Sequence, residues 1–214
     1  SQALDNVGTA KNVLRIAEGS YQAQMSILQR MKEKATQAAD GSFSSEQRSA
    51  INDEYTALVK EVQDIADQAK FNDNTLFGTT MTFQVGEDSS NTLAVTFDSS
   101  TSAAVGEGNT DISTSTVSLA TAASASTAIG TLDTAIKELA KSIQEMGDFN
   151  ARLSSKEESL SLAISNTEAT RSRIEDADFA KEQMSMMKLQ ILQQTTISSF
   201  AQANAAPQVV LSLF

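Results

Sequence analysis

Apolar side chains recur every three or four residues over most of this chain, and this spacing restricts the fold more than any other feature of the sequence. Between Asp5 and Ala38, small and apolar residues form two rows whose members stand seven positions apart. One row is Leu14, Tyr21, Leu28 and Ala35, and the other is Ala17, Gln24, Met31 and Ala38. Such rows make a narrow seam along one side of an α-helix. The segment is therefore predicted to be a long helix that packs along other helices.

Two further segments carry helical spacing. Gly41 suits a helix end, and Ser44 and Gln47 have the spacing of a capping box for the next helix. The apolar stripe of that helix is Ile51, Tyr55, Leu58, Val62, Ile65 and Ala69. From about Ile129 a third pattern follows, with the apolar row Leu132, Leu139, Met146, Leu153, Leu160, Thr167 and Ile174. A second row on this helix, also spaced seven residues apart, becomes polar at Asn150, Glu157 and Arg171. A buried polar residue in this row could fix the register of the helix against its neighbours.

The region between the second and third helical patterns changes period. Met81, Phe83 and Val85 alternate with polar residues, as do Leu93, Val95 and Phe97 beyond a Gly-containing loop, and this predicts a β-hairpin over 81–98. Residues 99–127 are rich in Ser, Thr and Ala, and we expect a flexible or weakly structured crossing. The predicted fold class is mainly α: an elongated antiparallel rod of three long helices with coiled-coil-like packing, one β-hairpin, and a C-terminal tail that is helical or bound to a partner.

Composition excludes several classes of function. The formal net charge of −11 disfavours nucleic acid, because phosphate binding requires a surface rich in Lys and Arg. With no Cys and no His, thiolate sites and the commonest metal ligand and general base are absent. The acidic cluster Glu175, Asp176 and Asp178 is interpreted as a charged hinge, because its spacing does not match a calcium loop. We find no catalytic constellation and expect no enzyme activity, cofactor, metal, nucleic acid or membrane partner.

The C-terminal tail carries no charged side chain after Lys188. Met, Ile, Leu, Val and Phe are mixed there with Gln, Ser, Thr and Asn. A membrane-spanning helix needs about 20 mostly apolar residues, which this mixture does not provide. The tail is therefore predicted to be a surface for another protein chain, and from Pro207 onward we expect extended or wrapped backbone rather than continuous helix.

Several motifs together resemble the bacterial flagellins. They are AEGSYQAQMSILQRMKEKATQAADG at 17–41, DIADQAKFNDNTLF at 64–77, RSRIEDADFAKE at 171–182, and LQILQQTTISSFAQANAAPQVVLSLF at 189–214. The resemblance implies a filament subunit with a helical D1 domain and an inner D0 coiled-coil layer. It implies N-terminal D1 helices at 1–80, the D1 hairpin at 81–98, a crossing in place of outer domains at 99–127, the C-terminal D1 helix at 128–172, a hinge at 173–178, and a C-terminal D0 segment at 179–214.

The resemblance also implies partners. The family's N-terminal D0 helix does not match any part of this chain, so we expect no filaments from the chain as given. Before assembly the tail, residues 179–214, is expected to be held by a flagellin export chaperone in the cytoplasm, and the filament itself is extracellular. The residues expected to meet the chaperone or neighbouring D0 segments are Phe179, Met184, Met187, Leu189, Ile191, Leu192, Ile197, Phe200, Val209, Val210, Leu211, Leu213 and Phe214.

A second surface comes from the same resemblance. Arg30 and Glu54 match a patch by which the innate immune flagellin receptor of animals recognises the D1 domain. Lys34 stands where that patch usually has Leu, and this departure counts against activation of the receptor.

Three hypotheses of function remain at this stage. The leading one is a structural subunit of the bacterial flagellar filament, exported by type III secretion and serving motility. The alternative is a secreted flagellin-like adhesin or filament-junction protein. The third is a carboxylate-dependent hydrolase, which would need acidic residues of raised pKa in a concave pocket.

Overall fold

The computed structural model describes the backbone of residues 2–211 and, within that range, every side chain except those of 177–178 and 204–211. The helices of this part are α1 (Gln2–Ala39), α2 (Ser45–Gln68) and α3 (Ala122–Leu211). Its strands are β1 (Lys70–Phe71), β2 (Asn74–Thr75), β3 (Thr79–Gln84), β4 (Thr92–Phe97), β5 (Ser100–Thr101) and β6 (Ala104–Val105). Two compact units divide the chain, Ser1–Ser161 and Leu162–Phe214. The prediction of a mainly α fold with three long helices and a hairpin is confirmed.

A tight turn joins α1 to α2. The Ser44 hydroxyl accepts a hydrogen bond from the Gln47 backbone N–H, and the Gln47 side chain accepts one from the Ser44 N–H, so the predicted capping box is confirmed. The guanidinium of Arg48 donates to the backbone carbonyls of Ala38, Asp40 and Phe43. The Ala38 and Asp40 carbonyls lie where α1 ends and helical partners are missing, and the Phe43 carbonyl lies in the turn itself.

The three helices of the first unit run alongside one another. Ion pairs join Lys34 to Glu54 between α1 and α2, and Lys11 to Glu157 and Lys32 to Asp133 between α1 and α3. From Lys11 to Lys32 the chain advances along α1, whereas the partner residue in α3 goes back from Glu157 to Asp133. The helices α1 and α3 are therefore antiparallel. Both predicted rows of α1 are buried, including Gln24, and the predicted row of α3 is buried from Leu132 to Leu153.

The hairpin of β3 and β4 covers one side of this core. The strands pair antiparallel, with Met81 opposite Val95 and Phe83 opposite Leu93. Leu93, Val95 and Phe97 are buried whereas the alternate positions of β4 are exposed, as period-two spacing requires. Two shorter antiparallel pairs, β1 with β2 and β5 with β6, were not predicted.

The crossing at 99–127 is ordered, so the expectation of a flexible or weakly structured segment is wrong. Val105, Ile112, Val117 and Leu119 are buried in the core of the first unit. The Tyr55 hydroxyl donates to the Ile112 carbonyl, and burial raises the pKa of this hydroxyl so that it stays neutral. The Asn52 side chain accepts from the Leu119 N–H. Side chains of α2 therefore hold a segment whose composition alone predicts no structure.

The C-terminal helix begins earlier and continues further than expected. It begins at Ala122, where the Thr121 and Ser124 hydroxyls each accept a bond from the other residue's N–H. Residues 173–178 have helical backbone, and the hinge expected there remains a prediction. Helical backbone also includes Pro207, so the expectation of extended backbone from that residue to Leu211 is wrong. Pro207 has no backbone N–H, so one helical hydrogen bond is absent at this position.

Candidate assembly surfaces

Large apolar side chains of the second unit are exposed along α3. The predicted interface residues Phe179, Met184, Met187, Leu189, Ile191, Leu192, Ile197 and Phe200 keep between 52% and 70% of their surface open. Leu162, Ile174 and Met186 are exposed in the same way and were not among the predicted residues, although Ile174 and Met186 lie in apolar patterns visible in the sequence. The side chains of Val209, Val210 and Leu211, and all of Leu213 and Phe214, lie outside the described residues.

These side chains surround the helix rather than forming one stripe. At about 100° per residue they fall into three rows roughly a third of a turn apart. The rows are Phe179, Met186 and Ile197; Met184, Met187 and Ile191; and Leu189, Leu192 and Phe200. A helix with apolar residues on all sides is typical of a buried position. One shallow groove on a partner would leave at least one of these rows in water.

Three hydroxyl groups of this segment donate hydrogen bonds to backbone carbonyls of the helix itself. Thr195 donates to the Ile191 carbonyl, Thr196 to that of Leu192, and Ser198 to that of Gln194. A hydroxyl that is already hydrogen-bonded can be moved out of water at a small cost, whereas an unpaired one costs several kcal/mol, of the order of 2–7. These three hydroxyls are therefore compatible with burial against a partner.

The candidate receptor patch lies in the first unit. Lys34 and Glu54 form an ion pair across α1 and α2, with 31% and 58% of their side-chain surfaces exposed. Arg30 is exposed one helical turn before Lys34. The structure thus brings two of the three predicted residues into direct contact, and the carboxylate of Glu54 already has a cationic partner within the chain.

The acidic residues near 175 form part of a charged helix surface. Arg171 lies 3.8 Å from Glu175 and 3.5 Å from Glu168, and the Ser172 hydroxyl donates to Asp176. Across the part of the chain that the structure describes, no three acidic side chains are placed to hold a metal ion together. Within the described residues, no helix contains an apolar stretch that is long enough to cross a membrane.

Family comparisons cover both ends of the chain. The model of the bacterial flagellin N-terminal helical region matches residues 1–82, and that of the bacterial flagellin C-terminal helical region matches residues 129–214. The segment between the matches contains β4, β5, β6 and the start of α3.

Individual relatives agree with these matches. Flagellin FlaB1 of Treponema pallidum is 34% identical over 226 residues, which cover 100% of this chain and 79% of that protein. A flagellin of Halalkalibacterium halodurans is 32% identical over 222 residues, covering 99% of this chain and 77% of that protein. The crystal structure of Bacillus cereus flagellin superposes with a TM-score of 0.63 and 27% identity, over 73% of this chain and 88% of that one.

Proposed function

Since the chain belongs to the bacterial flagellin family and is a structural subunit of the extracellular flagellar filament, we propose that it assembles through two kinds of contact. The first unit packs laterally and axially against the first units of neighbouring copies. The second unit is buried among neighbouring D0 segments as part of an inner coiled-coil layer. The motility of the cell depends on this polymer.

One observation carries the proposal: the uncharged, apolar-on-all-sides surface of α3 beyond Lys188. Full burial of a large apolar side chain contributes about 1.5–3 kcal/mol. Burial of several such side chains per copy offsets the loss of translational and rotational freedom on association, which is of the order of 4–15 kcal/mol. A polymer in which each copy has neighbours on several sides provides burial for all three rows.

We propose that the tail is held by an export chaperone before the subunit enters the type III secretion pathway. An exposed apolar helix at high concentration in the cytoplasm would associate prematurely. A chaperone that wraps the helix would cover the same side chains that the filament later buries, including Met184, Leu189 and Phe200. The two states are therefore mutually exclusive for residues 179–214.

We propose further that this chain is a weak ligand of the innate immune flagellin receptor. A receptor cation that pairs with Glu54 must displace Lys34 from its ion pair. The substitution Lys34→Leu should then increase receptor activation in a reporter-cell assay, whereas Lys60→Leu, an exposed lysine on α2, should leave it unchanged. Equal activation by the original chain and the Lys34→Leu variant would contradict this proposal.

Filament reconstitution tests the main proposal. The chain is expressed with the N-terminal segment that flagellins carry, and polymers are sought by electron microscopy. Helical filaments are expected, and the variant Ile197→Ser with Phe200→Ser should abolish them. Gln190→Ser with Gln193→Ser changes polar positions of the same helix and should have little effect. A chain that folds but yields no helical polymer would favour the adhesin or filament-junction alternative.

A further inference from the structure

Three methionines lie within one turn of α3 in the second unit. Met184, Met186 and Met187 keep 63%, 50% and 56% of their surface open. We call them the tail methionines. Their thioether groups are accessible to small reagents in solution as long as no partner covers the helix.

The other four of the seven methionines lie in the first unit, where the core protects them. Met31 and Met146 are at most 1% exposed. Met25 and Met81 are partly buried and pack against the core. A reagent that attacks thioethers therefore reaches the tail methionines first.

Few other side chains of this chain compete for a mild oxidant. The sequence contains no Cys and no Trp, and both tyrosines, Tyr21 and Tyr55, are fully buried in the first unit. Oxidation of methionine to its sulfoxide is a common and reversible modification. The chain thus concentrates its accessible oxidisable groups at one place, inside the segment that is expected to be buried on assembly.

We propose that the tail methionines are a reversible oxidation site for hydrogen peroxide, and that their oxidation prevents burial of the tail. The thioether sulfur attacks one peroxide oxygen, the O–O bond breaks, and methionine sulfoxide and water are formed. Sulfur is oxidised and the peroxide is reduced. Methionine sulfoxide reductases restore the thioether, and the oxygen then leaves as water while two thiols become a disulfide.

A sulfoxide opposes burial because its oxygen is polar and needs a hydrogen-bond donor. Residues 184–187 have helical backbone, so their N–H groups already donate to carbonyls of the preceding turn. A neighbouring chain would have to supply the donor, and a polar group buried without one is unfavourable. Oxidation thus replaces a flexible apolar side chain, which adapts to many surfaces, with one that is better left in water.

The distribution of the tail methionines around the helix strengthens this effect. Met184 and Met187 belong to one of the three apolar rows and Met186 to another. When all three rows are buried, no rotation of the helix keeps both oxidised rows in water. The effect on assembly rests on the proposed filament function, whereas the selectivity of the oxidation does not. Burial in the filament would in turn protect the thioethers, so the site responds to peroxide before assembly.

Peptide mapping by mass spectrometry tests the site in the folded chain. Dilute hydrogen peroxide should oxidise the tail methionines about tenfold faster or more than Met31 and Met146, because core methionines react only when the first unit opens. In urea, where the unit is unfolded, all seven should react at similar rates. Equal rates in the folded chain would overturn the oxidation site.

Polymerisation tests the consequence, with the chain that carries the N-terminal segment of flagellins. Treatment with peroxide before assembly should lower the filament yield about tenfold or more, and a methionine sulfoxide reductase with a thiol donor should restore it. The variant Met184→Leu with Met186→Leu and Met187→Leu keeps apolar side chains of similar volume, so it should polymerise and be insensitive to peroxide. Met81→Leu is the matched control and should remain as sensitive as the original chain.

The outcomes separate this proposal from the filament function. An undiminished yield after oxidation, or an equal loss in the triple variant, would overturn the effect on assembly and leave the filament function standing. If the triple variant does not polymerise, the reductase decides: a yield that stays low after the thioethers are restored overturns the effect. If the untreated chain forms no polymer, the filament function and the effect on assembly fail together, and the mapped rates alone decide the oxidation site. Rapid oxidation within finished filaments would contradict burial of the tail.

Discussion

The side-chain amide of Gln24, fully buried in α1, donates a hydrogen bond of 2.8 Å to the backbone carbonyl of Ser100 in β5. The same amide donates to the Val62 carbonyl in α2 at 2.9 Å, and its oxygen accepts from the Ser100 hydroxyl. One polar residue in an apolar row thus ties α1 to α2 and to the segment that follows the hairpin. A buried polar group that is satisfied in this way favours one register of the packed elements.

Removal of this link should destabilise the first unit. The substitution Gln24→Met keeps a side chain of similar length but leaves two carbonyls and a hydroxyl without their partner. We expect a loss of about 1–3 kcal/mol in the free energy of unfolding, measured by urea denaturation. Gln22→Met, on the exposed side of the same helix, should change it by less than about 0.5 kcal/mol. Equal effects of the two substitutions would contradict the role assigned to Gln24.

The ion pair between Lys11 and Glu157 should contribute modestly to the packing of α1 on α3. The two charged atoms are 2.5 Å apart, and 19% and 46% of the respective side-chain surfaces are exposed. Pairs that retain contact with water are worth about 0.2–1 kcal/mol. A double-mutant cycle with Lys11→Met and Glu157→Gln should yield a coupling energy in that range. Glu158→Gln, beside it on the exposed surface, should show no coupling to Lys11.

Arg48 should stabilise the turn between α1 and α2 through its geometry rather than its charge. Its guanidinium donates to three backbone carbonyls, which a single ammonium group cannot reach together. We expect Arg48→Lys to lower the free energy of unfolding by about 1–2 kcal/mol. Arg15→Lys, at an exposed position in α1, is the matched control and should be neutral. A neutral Arg48→Lys variant would show that solvent satisfies these carbonyls equally well.

The helical part of the fold could be predicted because each helix repeats its own signal many times. Leu14, Tyr21 and Leu28 recur at a fixed interval, so their common face is evident without knowledge of any partner. The crossing offers no such repetition. Ile112, Val117 and Leu119 are isolated apolar residues among Ser and Thr, and they are buried because Tyr55 and Asn52 of α2 hold the backbone beside them. That information lies in tertiary contacts and not in local spacing.

The candidate surfaces also differ in whether the local sequence or the tertiary contacts reveal them. The interface residues predicted in the tail include eight of its exposed apolar side chains but not Met186, and their role as an interface stays a prediction. The ion pair between Lys34 and Glu54 was not predicted. It depends on which residues of α2 lie beside α1, and the linear sequence does not give that.

The raised pKa of Glu145 gives the first unit a specific pH dependence. The unfolded chain ionises this carboxyl near its ordinary value of 4.5, whereas the folded chain retains the proton to a higher pH. Stability is therefore fully present below about 4.5 and is lost as the pH rises through the folded pKa. We expect Glu145→Gln to stabilise the monomer above that window, by well under about 1 kcal/mol because the group is partly solvated.

The control for this prediction is the pH profile itself. The advantage of Glu145→Gln should vanish below about 4.5, where the carboxyl is protonated in both states. Thermal unfolding followed over a range of pH measures this advantage. A stabilisation that is constant with pH would assign the effect to something other than ionisation.

Amide hydrogen exchange should separate the two units most clearly. The core residues of the first unit, such as Leu14 and Leu139, are at most 1% exposed, so we expect their amides to open only with the unit as a whole. Residues 179–203 have helical backbone, but their large apolar side chains pack on nothing within the second unit. Most of the stability of a protein helix comes from packing, and helices without it are marginal in water.

We therefore expect residues 179–203 to exchange rapidly in the monomer, by about a thousandfold or more relative to the core, since each 1.4 kcal/mol of protection is a factor of ten. The same amides should become protected when an export chaperone is added and again in assembled filaments. Phe200→Ser should leave exchange in the first unit unchanged and should weaken protection in both complexes. Strong protection of 179–203 in the isolated monomer would mean that the chain itself covers this surface, and the assembly proposal would then lose its main support.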